Sequence, residues 1–179
     1  RQRQMCIRDS FTAAPDAVGA VGLGGGPLLD VPLCAGGRAW RVHCVAVGNP
    51  HCVLFTHEPP PAGAELAAWG RALGHHPAFP GGINVEFAQP ISPTGLAVTV
   101  WERGSGATLA CGTGACAVAA AAVLTGRCPR GAPILVQLPG GTLEVCVQRD
   151  DTVLLTGDAA ATFSGTVLIQ PCKAPRGVV

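Results

Sequence analysis

The stretch Trp101-Glu-Arg-Gly-Ser-Gly-Ala-Thr-Leu-Ala-Cys111-Gly-Thr-Gly-Ala-Cys116-Ala-Val-Ala-Ala-Ala-Ala-Val-Leu124 decides the fold. Its second part, 115–124, is mostly alanine, the residue of highest helix propensity, and Gly126 supplies a stop. A helix with almost no polar face cannot lie on a surface, so it is expected at the centre of the molecule, wrapped by sheet. Its first part is a glycine-rich loop over 103–114 that delivers Cys111 to the helix entrance. Free backbone N–H groups and the positive dipole end favour negative charge there. This predicts a Cys111 pKa lowered toward neutrality, suiting the thiol to accept and return a proton. The N–H groups of Gly112, Thr113 and Gly114 offer a cradle for a substrate carboxylate.

The plainer reading makes Cys111 one more buried small hydrophobe, the commoner role for a cysteine, and Glu102 with Arg103 a strand-end ion pair of little worth. An anion, a cation and a thiol brought together on one loop weigh toward a site. Cys116 is no second reactive thiol: five residues on, it lies about 140° around the helix and belongs to the core.

Working outward, 96–101 and 83–88 alternate as strands, separated by the turn-forming Gln89-Pro-Ile-Ser-Pro-Thr-Gly95. Residues 64–74 read as a short helix with Leu66, Trp69 and Leu73 at helical spacing. Residues 40–55 are strand-like, with Val42, Cys44 and Ala46 on one face and His43, Val45 and Val47 on the other, until Gly48-Asn-Pro interrupts them. One short strand is expected around 28–33. After the central helix, strands are expected at 134–138 and 143–147, joined by the turn Pro139-Gly-Gly-Thr, and then at 152–155 and 163–169. The fold class is therefore α/β (α+β): a mixed, largely antiparallel sheet around one buried helix. The first ten residues, with three of the eleven arginines, show no continuity with the Ala/Gly-rich chain that follows. They are read as a stray leader outside the fold, residues 11–170 as the folded unit and 171–179 as a tail.

Composition removes whole classes of function. Lys and Arg number 12 against 11 Asp and Glu, a net charge of +1, which gives no electrostatic case for nucleic acid or an anionic membrane. The longest apolar run, 115–124, is far short of the roughly 20 residues a bilayer needs. The only lysine, Lys173, lies in the Pro-flanked stretch 170–175, so neither a Schiff-base lysine nor a P-loop is available. Nine cysteines without a Cys-x-x-Cys pair point to free thiols in a reducing, cytoplasmic compartment, and no metal site is expected.

Two further constellations carry polar groups. Gly48-Asn-Pro-His-Cys-Val breaks a strand and exposes Asn49 and His51 at its end, although Asn-Pro by itself is commonly a mere turn. Gly81-Gly-Ile-Asn-Val-Glu-Phe carries Asn84 inside a strand-like run, where a hydrogen-bonded core amide is the plainer reading.

Together, Ala46-Val-Gly-Asn-Pro-His-Cys-Val, Ile83-Asn-Val-Glu-Phe, the block from Val100 through Cys116, and Leu138-Pro-Gly-Gly-Thr-Leu resemble the second half of the diaminopimelate epimerases, over about residues 28 to 170. Ala107 stands where many members have glutamate. The resemblance implies one lobe of a two-lobed, cofactor-independent isomerase that interconverts LL- and meso-diaminopimelate for lysine and peptidoglycan precursor biosynthesis. Two cysteines then face opposite sides of the substrate α-carbon. It further implies that Cys111 is one of this pair, that His51 and Glu102 assist catalysis, and that Asn49, Asn84, Glu102, Arg103, Gly112 and Thr113 bind substrate. The expected partner is thus a small molecule, with a homodimer possible for the full-length enzyme. A first-lobe motif of the form Asn-x-Asp-Gly-Ser followed by Cys-Gly-Asn-Gly is absent, so the chain is expected to be a fragment, inactive alone. A proline racemase or phenazine-biosynthesis-type lobe and a non-catalytic α/β binding module are the competing readings.

Overall fold

The computed structural model describes residues 3–168, and of residues 3–5 the backbone alone. Ten strands and three helices follow in the order β1 (Arg3–Ser10), α1 (Pro15–Val18), β2 (Val31–Ala35), β3 (Arg38–Val47), β4 (Asn49–Phe55), α2 (Gly63–Gly74), β5 (Asn84–Ser92), β6 (Gly95–Glu102), β7 (Gly106–Thr108), α3 (Gly112–Leu124), β8 (Pro133–Leu138), β9 (Gly141–Val147) and β10 (Thr152–Ala159). One sheet runs β1-β10-β9-β8-β6-β5-β4-β3-β2, with β7 paired to β6. Only β4–β5 and β6–β8 are parallel; every other pairing is antiparallel. This is the mixed, largely antiparallel α+β sheet read from the sequence.

The sheet curls around α3, whose residues from Gly114 to Ala122 are all buried. Small side chains let strands approach from several sides, and α3 packs against β3, β4, β5, β8, β9 and β10. Val45, Val53, Ala88, Leu96, Val98 and Val100 meet it from one face of the sheet. The opposite face of β3, β4 and β5 presents Cys44, Cys52, Leu54, Val85 and Phe87 to a second core completed by α2 and the segment around Leu28. Both faces of β3 are therefore covered, as its two interleaved apolar sets require. Gly48, at φ +69°, makes the hairpin between β3 and β4, a backbone state costly for most side chains.

Four expectations are corrected. Residues from Arg3 to Ser10 do not stand outside the fold: they form β1, antiparallel to β10 from Arg3↔Ala159 to Ser10↔Thr152. Ladder hydrogen bonds are made by backbone, so an unusual composition does not prevent pairing. The strand expected at 163–169 is absent over 163–168, where Phe163 and Leu168 are 88% and 93% exposed. The edge of β10 that a hairpin partner would use is occupied by β1. β5 runs on through Gln89 and Pro90 to Ser92, where a register irregularity accommodates the proline, so the turn is confined to Pro93 and Thr94. The first short strand is displaced to Val31–Ala35, and Leu28 is buried in the irregular segment before it. Ile169 and the tail 171–179 lie outside the described residues.

Candidate active site

Alternation along three strands assembles the site. Residues 49, 51 and 53 of β4 share one face, as do 84, 86 and 88 of β5 and 98, 100 and 102 of β6. The contacts of Val53, Ala88, Val98 and Val100 identify this face as the one covering α3. β4 and β5 run parallel with His51 opposite Asn84, and β6 returns antiparallel with Trp101 opposite Val85. Asn49, His51, Asn84 and Glu102 therefore lie at one end of the sheet, where Cys111 caps the N-terminus of α3.

Cys111 is the N-cap itself, with extended backbone (φ −138°, ψ 114°), and its Sγ accepts the Gly114 N–H at 3.3 Å. The Thr113 hydroxyl lies 3.5 Å from the same sulfur. One N–H of the expected carboxylate cradle is thus committed to the thiol, and Gly112 and Thr113 keep theirs for a ligand. The expected lowering of the Cys111 pKa does not hold in this chain. Burial pushes the thiol up, outweighing the Thr113 and Gly114 hydrogen bonds that pull it down, and the Glu86 and Glu102 carboxylates add to the rise. Cys116, 4% exposed and packed among core residues, has its thiol pushed up to about 12 by burial.

Around Cys111 each polar residue is held by a defined partner. Asn84 Oδ1 accepts the backbone N–H of Arg103 at 2.8 Å, which leaves Nδ2 as the end able to donate to a ligand. Arg103 is exposed, and its guanidinium is drawn back to the Gly81 carbonyl at 2.8 Å. Glu102 accepts the Thr108 hydroxyl at 2.7 Å, so the short β7 return fixes that carboxylate. His51 is fully buried, with Nε2 3.0 Å from Asn49 Oδ1 and Nδ1 2.6 Å from Glu86 Oε1. A hollow of about 280 Å³ abuts Gly112 and Thr113 and is walled on one side by Ile7 and Asp9 of β1.

Glu86 and Thr108 were not singled out in the sequence. Glu86 had a usable signal: it stands two residues after Asn84 in an otherwise apolar strand, and therefore on the same face. Thr108 had none, because its role depends on the fold-back of β7 onto β6.

A family profile described as Diaminopimelate epimerase matches residues 43–162. The chain is 50% identical over 139 residues to the diaminopimelate epimerase of Microcystis aeruginosa (strain NIES-843), covering 77% of this chain and 48% of that one. It is 53% identical over 141 residues to the diaminopimelate epimerase of Synechococcus sp. (strain JA-2-3B'a(2-13)), covering 78% and 49%. The chain thus spans about half the length of the curated relatives it matches. Among solved structures, a probable proline racemase from Agrobacterium radiobacter K84 superposes with TM-score 0.58 at 16% identity, over 94% of this chain and 55% of that one. A hydroxyproline epimerase from Agrobacterium vitis gives 0.55 at 19%, over 72% and 46%. These two likenesses establish a shared fold and nothing finer. The profile match covers all three sheet motifs and the Cys111 loop, and on that evidence the chain belongs to the diaminopimelate epimerase family.

Proposed function

We propose that this chain supplies one acid/base half of a cofactor-independent epimerase that interconverts LL- and meso-diaminopimelate. The observation that carries the reading is Cys111: a half-buried thiol at the N-cap of the central helix, beside ligand-capable N–H groups and the Asn49–His51–Asn84–Glu102 end of the sheet. An α-proton next to a carboxylate is a very weak acid. Its removal requires donors aimed at the negative charge that develops, in a site that excludes water. Gly112 and Thr113 N–H, Asn84 Nδ2, the Asn49 side chain and the Arg103 guanidinium provide donors. Glu102 provides an acceptor for a substrate ammonium, and His51 together with Glu102 assists proton movement.

Inversion needs a base on one face of the carbon and an acid on the other. As thiolate, Cys111 removes the proton; as thiol, it returns one. The opposite face needs a second thiol. Among the described residues Cys44, Cys52, Cys116 and Cys128 are buried, Cys6 of β1 and Cys34 of β2 are exposed, and Cys146 is in β9. A reducing, cytoplasmic setting, expected from cysteines without a Cys-x-x-Cys pair, belongs to this proposal. A homodimer of the full-length enzyme remains part of the proposal.

The test is exchange of the substrate α-hydrogen with deuterated water, by this chain alone and by the same residues fused behind the first lobe of one of the relatives above. The isolated chain is expected to be inactive, because members of a cooperating pair act as a unit. The fusion is expected to exchange and epimerise, and Cys111→Ala within it to abolish both. Robust turnover by the isolated chain would sink the two-thiol assignment; a folded but inactive fusion would sink the epimerase reading.

A further inference from the structure

One buried ionisable group has no task in this scheme. Glu86 is fully buried in β5; its Oε1 lies 2.6 Å from His51 Nδ1, and its Oε2 has no hydrogen-bond partner among the described residues. A Cβ placed on Gly114 would stand 2.8 Å from Glu86 Oε1 and 3.3 Å from Cys111 Sγ. The carboxylate and the thiol thus approach each other across a backbone position that only glycine leaves bare.

We propose that Glu86 is a positioning residue of the active site: wedged between the His51 ring and the bare Cα of Gly114, its carboxylate fixes the tautomer and aim of His51 and stands behind the Cys111 thiol. The catalytic meaning rests on the epimerase reading; the juxtaposition does not. Burying a carboxylate with one unsatisfied oxygen is costly, and an apolar residue of similar volume would fill the space without that cost. A carboxylate only accepts, so the proton shared with His51 belongs to Nδ1. Nε2, on the Asn49 side, is then the acceptor nitrogen of that tautomer. The half-buried Asn49 amide can turn either end toward it. Glu86 touches no substrate and acts through His51 and Cys111.

The charged groups facing Cys111 are Glu86 from β5 and Glu102 from β6, both negative; on its own helix it meets the Thr113 hydroxyl, the Gly114 N–H and Cys116. Removing the Glu86 charge therefore favours the thiolate.

The experiment uses the present chain and needs no turnover. Long-range ¹⁵N–¹H correlation of the imidazole nitrogens, with His51→Gln for assignment, is expected to show a protonated Nδ1 in the unsubstituted chain near neutral pH. In Glu86→Gln that pattern is expected to change. Carboxamidomethylation of Cys111, followed by peptide mass mapping across pH, is expected to shift its midpoint downward, with a rate at least about threefold higher below the midpoint. Glu86→Asp should retain part of the original midpoint. A merely structural Glu86 would lower thermal stability and move neither readout. An unprotonated Nδ1 in the unsubstituted chain overturns the proposal, and so does an unmoved Cys111 midpoint in folded Glu86→Gln. If Glu86→Gln fails to fold, the tautomer measurement still decides. A fusion that fails to exchange the α-hydrogen would leave these outcomes standing and remove only the epimerase reading.

Discussion

Replacing Gly114 by alanine sets two effects of known size against each other. Gly114 is the third residue of α3 and its backbone is not left-handed, so helix propensity alone would make alanine better by about 0.5–1 kcal/mol. The added methyl would lie 2.8 Å from Glu86 Oε1, 3.2 Å from Cys111 Cβ and 3.3 Å from Cys111 Sγ. None of these atoms is the free end of a flexible surface chain. Glu86 is locked against His51, and Cys111 is the helix cap. Overpacking of this kind costs about 1–3 kcal/mol, and tilting Glu86 away would also weaken a buried hydrogen bond worth about 1–2 kcal/mol. Strain wins, with a net destabilisation of about 1–3 kcal/mol. At about 2–4 °C per kcal/mol for a chain of this size, the melting temperature should fall by about 2–12 °C. Thermal and urea unfolding followed by far-UV circular dichroism would measure it. Gly112→Ala provides the comparison: its new methyl meets only Leu155 Cδ2, at 3.2 Å, the end of a partly exposed side chain that can give way. A Gly114→Ala chain that melts higher than the parent, as propensity alone demands, would refute the packing of Glu86 against the bare Cα.

Three other outcomes are expected from the same physics. Gly70→Ala drives a methyl into the Trp101 ring, where α2 crosses β6, and should cost about 1–3 kcal/mol in urea titration. With the Cys116 thiol pushed up to about 12, the unfolded chain releases a proton above about pH 9 that the folded chain keeps. Stability should therefore fall by about 1.4 kcal/mol per pH unit across that window, and Cys116→Ala should flatten the slope in alkaline melts. On the acid side, burial and the Arg127 charge push His43 down to about 4 from 6.5. The unfolded state then binds the extra proton, so this stability is complete above about pH 6.5 and is lost as pH falls through about 4; acid melts of His43→Phe should lack that component.

What could be read in advance follows from how local each cause is. The central helix was legible because a run of alanine and valine with no polar face has one solution, burial, and because glycine and threonine bracket it. The two faces of β3 were legible from simple alternation. The extension of β5 through Pro90 was not, because a bulge that tolerates proline depends on the partner strand. Phe163 to Leu168 alternate well enough for a strand, but pairing is decided by whether an edge is free, and β1 holds the edge of β10. The direction of the Cys111 shift is hidden from the sequence for a similar reason. The helix-terminal hydrogen bonds are local and visible, whereas burial and the two nearby carboxylates come from β5 and β6.

The same distinction explains why candidate residues could be named from motifs while their arrangement needed the fold. A strand offers its side chains alternately to two faces, so Asn49 with His51, and Asn84 with Glu86, are paired on one face by spacing alone. Register alone decides whether those pairs meet. Parallel pairing of His51 with Asn84 puts the second member of one pair beside the first member of the other, and the His51–Glu86 contact spans the diagonal between them. A slip of one residue would turn Asn84 and Glu86 toward Trp40 and Leu73 and send Val85 and Phe87 toward α3. The apolar interleaving of β5 forbids that slip: Val85 and Phe87 fill the α2-side core, and Ala88 is small enough to lie against α3. Core packing thus holds the polar end in register, which places a carboxylate, an imidazole and a thiol together from three segments of the chain.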